Sequence, residues 1–329
     1  YSNNVSNTGS GADIYSNSLL EVVVDTFTVL NPTEYHASPL QNFTFDILNS
    51  INEQINADIY VSPNGDNTND GLTPDSPFRT IHYAMNIILA DSINRNTIYL
   101  ANGVYSPTTN QEHIPIQVVD YVSIIGESEQ NVILNADEVE NGVVELSHIN
   151  NSTLSNFTVT GGSYNGGIKF DNANGLLENV TVTGNQGSEG GGIIIIESNP
   201  SIINVTISNN SGTGSSCYSN SNPLFENVTI TGNNGGLTFW ESNGTVNNSI
   251  ISNNLNSAGV GCYQSSSPTF SNVIISNNLG SPNFTYGFYC NSSSPTLTNV
   301  TITNNDAAGI YCYNNSSPLL TKVTISNNS

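Results

Sequence analysis

The residues whose types and spacing could carry out chemistry are few. Lys169 stands two positions before Asp171, so in a β-strand both side chains would lie on the same face. A lysine can act as a base and carboxylates can bind Ca²⁺, which makes this pair the candidate for proton transfer. The other acids within reach of that face are Glu189, Glu197 and Glu241. No repeat carries the paired aspartates that such a site requires, so Lys169 is more simply interpreted as a solvated charge.

A second candidate site is the turn-rich stretch 64–75, which contains Asp66, Asp70 and Asp75. Oxygen-rich loops of this kind can hold Ca²⁺, which is the only cofactor that the sequence indicates. The stretch lacks the terminal glutamate of an EF-hand loop, and a plain turn is the simpler interpretation. The 4 histidines are scattered and show no metal-binding spacing.

Aromatic residues form the most extensive pattern, because they recur at two outward positions of successive repeats. The candidate binding surface, which we call the aromatic strip, consists of Tyr218, Trp240, Tyr263, Tyr289, Tyr311 and Tyr313. Stacked coils would space these side chains about 4.8 Å apart. Flat rings bind sugar faces and bury well at protein interfaces, so the strip could bind a polysaccharide or a protein. Cross-coil stacking that only stabilises the sheet is the alternative.

These positions follow from an internal repeat. An asparagine followed by alternating apolar and β-branched residues recurs at spacings of about 21 to about 27 residues. The copies begin at Asn156, Asn179, Asn204, Asn227, Asn248, Asn272 and Asn299, and at Lys322 without the asparagine. Each repeat holds three short strands, and alternation sends one set of side chains inward. The repeat therefore predicts an all-β fold: a right-handed, single-stranded parallel β-helix with three short strands per coil.

The corners and the core are also indicated by the repeat. The asparagine between the second and third strands fits a tight corner, because asparagine tolerates left-handed backbone geometry. Stacked corners would form an asparagine ladder with amides bonded from coil to coil. Four cysteines share one inward register and match no zinc motif: Cys217, Cys262, Cys290 and Cys312. They predict apolar stacking in the core, with a strained disulfide between Cys290 and Cys312 as the alternative.

The amino-terminal part differs from the regular repeats of residues 136–329. Within residues 58–135, Pro77 suits the first turn of a helix, and the apolar stripe predicts a helix near residues 77–90. The stripe comprises Ile81, Ala84, Met85, Ile88 and Leu89. We expect this helix to cap the first coil, whose apolar core would otherwise be exposed to solvent. Residues 1–57 form a β segment of uncertain fold, with predicted strands at 20–30 and 43–47.

Several motifs in residues 58–135 carry a family resemblance. They are Tyr60-Val-Ser-Pro-x-Gly, Pro77-Phe-Arg-Thr-Ile-x-x-Ala84, Gly103-Val-Tyr105 and Val122-Ser-Ile-Ile-Gly126. They resemble the opening of pectate-lyase-like right-handed parallel β-helix proteins, above all a group of uncharacterised secreted members. The resemblance covers roughly residues 58–329 and implies the fold, but lyases, hydrolases, epimerases, phage spikes and adhesins share that scaffold. It also implies that a substrate would lie along the first sheet, as in a Ca²⁺-dependent polysaccharide lyase.

Composition limits the partners of this 329-residue chain. The net charge is −22, from 4 basic and 26 acidic residues, which opposes binding to nucleic acid and to anionic membranes. No apolar run reaches the roughly 18 residues of a membrane span. The composition and the resemblance predict an extracellular or cell-surface protein whose signal peptide has been removed before Tyr1. Among many Asn-x-Ser/Thr sequons, Asn42 and Asn283 lie in predicted loops and are the candidates for glycosylation.

Together these features favour a non-enzymatic structural or adhesive protein over an enzyme. The regular repeat, the scattered acids and the aromatic strip support that hypothesis. The sequence stops at Ser329, just after a third strand, so we expect an uncapped last coil that a second copy of the chain could cover. Head-to-tail contact of that kind gives filaments. The predicted partners are therefore the chain itself and a polysaccharide, and the alternative is a lyase that acts on acidic glycans with Lys169 as its base.

Overall fold

The structure is a computed structural model that describes residues 14–32, 37–138, 142–187, 190–280 and 286–329. Two candidate residues named above, Glu189 beside the first sheet and the possible glycosylation site Asn283, lie outside this range. From Ile59 onward the described chain winds into a parallel β-helix, which confirms the predicted all-β fold. Within the described ranges the helical elements are the α-helix Ile81–Ile87 and the 3₁₀ turn Leu40–Asn42. Neither is long and apolar enough to cross a membrane.

The first sheet consists of one strand from each of nine successive coils, all parallel and in register. Its strands are Ile116–Val118, Val144–Ser147, Ile168–Asp171, Ile193–Ile196, Thr213–Tyr218, Gly235–Trp240, Val260–Tyr263, Phe288–Asn291 and Ile310–Tyr313. Because side chains alternate between the faces of a strand, every second residue of each strand faces outward, and these positions carry the aromatic strip.

The second and third sheets meet at the asparagine corner. Strands of the second sheet are Ile59–Val61, Thr97–Leu100, Ser123–Gly126, Ser201–Ile203, Leu224–Glu226, Thr245–Asn247, Thr269–Ser271, Thr296–Thr298 and Leu319–Thr321. Strands of the third sheet are Gly103–Tyr105, Val132–Asn135, Thr206–Ser208, Thr229–Thr231, Ile250–Ser252, Ile274–Ser276, Thr301–Thr303 and Thr324–Ser326. The long strands Ser152–Thr160 and Gly175–Thr183 run through the corner and join both sheets.

The predicted corner geometry is confirmed. Each residue between the second and third strands has a left-handed backbone, with φ between 50° and 60°: Asn156, Asn179, Asn204, Asn227, Asn248, Asn272, Asn299 and Lys322. Amides at this corner bond from coil to coil on the surface, as from Asn299 Nδ2 to Asn272 Oδ1 at 2.7 Å. The predicted ladder is therefore present, but it is exposed to solvent.

A second, buried asparagine ladder lies at the corner after the third strand, where the sequence shows paired asparagines. Its members are Asn185, Asn210, Asn233, Asn254, Asn278, Asn305 and Asn328. Each Nδ2 donates to the Oδ1 of the next member at 2.9–3.1 Å. The same Oδ1 also accepts the backbone N–H of the preceding member, as in Asn233 N to Asn254 Oδ1 at 3.1 Å. This ladder satisfies backbone groups that water cannot reach.

The third corner, between the first and second strands, is held by buried serines. The hydroxyl of Ser221 accepts the N–H of Ser198 at 3.1 Å, and the hydroxyl of Ser242 accepts the N–H of Ser221 at 3.2 Å. All three serines are fully buried. Every corner of the regular coils thus carries its own ladder of short polar side chains.

Apolar residues fill the interior in the same register. Phe225, Phe239, Phe270 and Phe288 form an edge-to-face series with centroids 5.1–6.5 Å apart. The cysteines occupy the predicted inward register, where Cys262 pairs with Cys290 and Cys290 with Cys312. All four are free thiols, so the structure contains the apolar stack rather than the alternative disulfide. Burial raises the pKa of Cys217 and of Cys262 well above the usual range of a thiol.

The cap helix is shorter than the predicted 77–90 and begins after Thr80, whose hydroxyl accepts the N–H of Tyr83. Pro77 therefore lies outside the helix, contrary to the prediction. The reason is that Phe78 N–H bonds to Tyr60 O, which keeps this segment extended along the edge of the second sheet. A buried carboxylate that sequence reasoning missed, Glu112, accepts the N–H groups of Ile81 and His82 at 2.8 and 2.9 Å. It satisfies the first free amides of the helix.

The amino-terminal segment repeats the geometry of a coil. Strands Ile14–Tyr15 and Ala37–Ser38 are parallel, as are Leu20–Phe27 and Phe43–Ser50. The two predicted strands in this segment are therefore present, with somewhat different ends. The offset between partners is that of one coil, as it is between Ser201 and Leu224 in the β-helix.

Breaking the buried ladder should unfold the protein more readily than breaking the exposed one. Asn254→Ala removes donors to Ile230 O and Asn278 Oδ1 and the acceptor for Asn233. We expect a loss of about 4 kcal/mol, because each buried group left unpaired costs about 1–3 kcal/mol. Asn272→Gly is the matched control, which keeps the left-handed corner and should cost less than about 1 kcal/mol. Denaturant unfolding measures both, and equal losses would contradict the assignment of the buried ladder.

Candidate functional site

The register of the first sheet confirms the two predicted outward columns. One column runs through Tyr218, Trp240, Tyr263, Asn291 and Tyr313. The neighbouring column runs through Ser216, Thr238, Gly261, Tyr289 and Tyr311. The strip residues are therefore brought together, and their distribution over two columns is as the sequence indicates.

Gly261 joins these two columns into one row of rings. A Cβ at this position would lie 2.7 Å from Cε2 of Tyr263, so the Tyr263 ring lies over the glycine. Gly261 is the register partner of Tyr289, and the ring thereby crosses from the first column to the second. Its centroid is 5.2 Å from that of Trp240 and 5.3 Å from that of Tyr289.

The row continues into the last coils and gains a ring that sequence reasoning missed. Tyr289 and Tyr311 are nearly parallel, with centroids 5.9 Å apart and an interplanar angle of 9°. Tyr286 stacks on both, with centroid distances of 5.6 and 4.5 Å. Because Tyr286 precedes its strand, the alternation of strand residues does not place it on the outward face. The sequence pattern therefore carries no signal for its position in the row.

The orientation of the rings changes how the aromatic strip can bind. Trp240 stacks on Tyr263 at 23°, so the ring faces are turned toward one another along the helix axis. The cross-coil stacking given above as the alternative is therefore present, and the ring faces that meet within the row are covered. Trp240, Tyr311 and Tyr313 are 39%, 40% and 50% exposed. A ligand would meet apolar edges and hydrogen-bonding groups rather than a row of open ring faces.

The hydroxyl groups in the middle of the row stay neutral. Burial, with smaller contributions from Tyr289 and Cys262, raises the pKa of Tyr263 to about 12. Burial and the neighbouring tyrosines likewise raise the pKa of Tyr289. These phenols are neutral hydrogen-bonding groups at neutral pH.

A shallow polar depression lies beside the strip. It is lined by Asn220, Glu241, Asn243, Gln264 and Ser265. Glu241 directly follows Trp240, and Gln264 directly follows Tyr263, so the same turns that end the first strands position both features. Both residues have a left-handed backbone, with φ of 51° and 49°. The depression offers amides, a carboxylate and a hydroxyl next to the ring edges.

Lys169 is held in ion pairs that oppose a role as a base. Its Nζ lies 2.8 Å from Asp171 Oδ2 and 3.2 Å from Glu145 Oε1. Partial burial lowers the pKa of Lys169, but the hydrogen bond to Asp171 and the charges of Glu145 and Asp171 outweigh it and raise the pKa overall. A lysine base must lose its proton near neutral pH, and this environment holds the proton more tightly.

The candidate Ca²⁺ loop is arranged as a turn. Asp66 accepts the N–H and the hydroxyl of Thr68, and these bonds lower the pKa of Asp66. Asp70 accepts the N–H of Leu72. Across the described residues, no group of three or more His, Cys, Asp or Glu could hold a metal, so Asp66, Asp70 and Asp75 do not converge. The candidate glycosylation site Asn42 uses its Nδ2 to bond Ser16 O at 2.8 Å.

A side chain at Gly261 should displace Tyr263 and break the row. We expect Gly261→Ala to destabilise the protein by about 1 kcal/mol and to alter the near-ultraviolet circular dichroism of the stacked rings. In a Tyr263→Ala background the same substitution should cost little, because nothing then lies over the glycine. A double-mutant cycle in denaturant measures this coupling. Additive losses would show that the contact between Gly261 and Tyr263 does not matter.

The raised pKa of Tyr263 predicts a specific loss of stability in alkali. A folded-state pKa of about 12 against an ordinary 10.0 means that ionisation favours the unfolded chain. The stabilisation is complete below pH 10 and is lost as the pH rises toward 12. Thermal unfolding across this window should decline less steeply for Tyr263→Phe than for the unsubstituted protein. Tyr164→Phe, at an exposed turn, is the control and should follow the unsubstituted protein.

Known proteins share this architecture. The profile described as "Right handed beta helix region" matches residues 92–244, 140–281 and 191–329. A rhamnogalacturonan lyase structure is 14% identical, with a TM-score of 0.50 over 83% of this chain and 87% of its own. Pectate lyase Pel9A is 16% identical, with a TM-score of 0.49 over 85% of this chain and 79% of its own.

The ORF18 protein of Geobacillus virus E2 is 12% identical, with a TM-score of 0.49, and this chain covers 60% of its length. At these identities the likeness concerns the fold alone. No curated protein sequence matches the chain. The profile matches together span residues 92–329, well over half of the sequence. The chain belongs to the right-handed β-helix family.

Proposed function

We propose that the protein is a non-enzymatic extracellular β-solenoid that binds neutral polysaccharide along the aromatic strip. The observation that carries this proposal is the continuous row of rings from Trp240 to Tyr311 beside a hydrogen-bonding depression. Ring edges, phenol hydroxyls and amides together suit a ligand that alternates apolar C–H surface with hydroxyl groups. The row spans three coil spacings, about 14 Å, which is long enough for a short oligosaccharide.

The charges beside the strip favour a neutral ligand over an acidic one. Glu241 lines the depression, and the chain carries a net charge of −22. A polyuronate would be repelled both by the carboxylate of Glu241 and by the negative net charge of the chain. The amides of Asn220, Asn243 and Gln264 can donate to and accept from hydroxyl groups without such a penalty.

The alternative, a lyase with Lys169 as its base, has weaker support. Proton abstraction requires a neutral lysine, and Glu145 and Asp171 keep the lysine protonated. An acidic substrate would also have to approach the carboxylates of Glu145 and Asp171, and the charge of Lys169 is already paired with them. We therefore retain the lyase only as an outcome of the experiments below.

Binding can be tested by affinity electrophoresis in gels that contain xylan, mannan, mixed-linkage β-glucan or polygalacturonate. We expect retardation by at least one neutral polysaccharide and none by polygalacturonate. Gln264→Ala and Tyr311→Ala should weaken binding roughly threefold to tenfold, as expected for partly exposed contacts. Tyr164→Ala removes a more exposed ring outside the strip and should change nothing. The proposal would be wrong if no neutral polysaccharide retarded the protein, or if all variants bound as well as the unsubstituted protein.

Catalysis can be tested with the same preparations. Acidic polysaccharides are incubated with the protein and Ca²⁺, and unsaturated products are followed by their ultraviolet absorbance. We expect no absorbance change with the unsubstituted protein. A signal that disappears in Lys169→Ala would establish the lyase and overturn the non-enzymatic proposal.

Head-to-tail assembly stays a prediction that accompanies this proposal. Electron microscopy of the purified protein distinguishes continuous filaments from isolated particles. Filaments would support a structural role in addition to binding, and isolated particles at high protein concentration would contradict self-association.

A further inference from the structure

A groove separate from the aromatic strip lies on the second sheet, over its first three strands. It encloses about 420 Å³, within the range of small-ligand sites. Its floor is formed by Tyr60, Tyr99 and Ile125, which are register partners in successive coils. Pro74 and Pro77 line it from the loop that follows the first of these strands, and Glu127 lines it beyond the end of the third.

The loop that contributes the prolines is fixed by backbone pairing. Tyr60 N–H bonds to Gly71 O at 2.8 Å, and Phe78 N–H bonds to Tyr60 O at 2.9 Å. Asn69 Nδ2 adds a bond of 2.8 Å to the carbonyl of Pro77. The proline side of the groove is therefore attached to the same strand that supplies Tyr60. A ligand would meet a preformed site and would not have to order the loop.

The chemistry of the lining is aromatic and apolar with one carboxylate. The rings of Tyr60 and Tyr99 stack with centroids 5.4 Å apart and an interplanar angle of 24°. Glu127 Oε2 accepts the N–H of Asn102 at 3.0 Å, which anchors the side chain, while the residue itself is exposed. The carboxylate is thus positioned at the groove and remains open to a cation from solution.

We propose that this groove binds an extended, proline-containing peptide segment of another protein and pairs its arginine with Glu127. Grooves lined by aromatic residues and proline accept the polyproline II conformation, which is already extended before binding. The floor spans two coil spacings, about 10 Å, which matches three residues at about 3.1 Å each. A guanidinium can pair with the carboxylate through two parallel hydrogen bonds.

Charge complementarity favours a peptide with a positive charge. The chain carries 26 acidic residues against 4 basic ones, so a basic segment is attracted at long range and an acidic one is repelled. A sugar fits this groove less well than the depression beside the aromatic strip. Of the side chains that line it, only Ser62, Glu127 and the two tyrosines can form hydrogen bonds.

The test is calorimetric titration of the full chain with the blocked pentapeptide Pro-Pro-Leu-Pro-Arg. We expect saturable binding that weakens as salt is added. Glu127→Gln keeps an acceptor for Asn102 but removes the charge, and it should weaken binding roughly threefold to tenfold. Tyr99→Leu keeps apolar volume but removes the ring, and it should have an effect of similar size. Thermal unfolding of each variant shows that the coils remain intact.

Two controls make the result specific to the groove. Glu178→Gln removes a carboxylate from the second sheet outside the groove and should leave the affinity unchanged. A peptide with glutamate in place of arginine should not bind. Absence of binding by the basic peptide at millimolar concentration would overturn the proposal, as would equal affinity in Glu127→Gln and the unsubstituted protein. Binding of a neutral oligosaccharide that is lost in Tyr99→Leu, with no binding of the peptide, would overturn it in favour of a second sugar site.

Discussion

Each regular coil must turn from its third strand into the next first strand without leaving buried backbone groups unpaired. In most coils a fully or nearly fully buried asparagine meets this constraint. Asn254 illustrates how: its amide donates to Ile230 O in its neighbouring coil, and its oxygen accepts from Asn233. Each ladder asparagine thus forms the hydrogen bonds that water would otherwise form with the buried backbone groups. It also bonds to the equivalent asparagines of the preceding and following coils. Leucine or alanine at this position would leave those groups unsatisfied.

The ladder also explains why the outer surface is regular. Because equivalent asparagines bond to one another, coils of different length still start their first strands at the same place. The insertion that lengthens the coil between Asn278 and Asn305 leaves the register of Cys262 with Cys290 intact. The outward residues of the first sheet are therefore aligned in columns, and this alignment does not depend on which amino acids occupy the positions. The aromatic strip depends on this register.

Regular columns do not by themselves make a binding surface, and two local features shape this one. Gly261 leaves room for Tyr263 to cross between columns, and the turns after the first strands place Glu241 and Gln264 beside the ring edges. The groove on the second sheet has a different origin, since an irregular loop of the capping region builds one of its sides. Both surfaces lie on a scaffold whose ladders hold the backbone rigid, which favours preformed sites over induced ones.

The sequence by itself determined the repeat, the inward and outward positions and the columns. The reason is that the alternation of apolar and polar residues and the spacing of the repeats can both be read along the chain. The predicted corner asparagines, from Asn156 to Asn299, all have the left-handed backbone that the tight corner requires. The tertiary structure alone decided which rings touch, how Lys169 is paired, and that the cap helix begins after Thr80, with its first amides bonded to Glu112, rather than at Pro77. Those outcomes depend on side-chain directions and on contacts between coils. Many of the residues that meet there are 20 or more positions apart, as Lys169 is from Glu145. Alternation says which face two residues share but not which of their atoms come into contact.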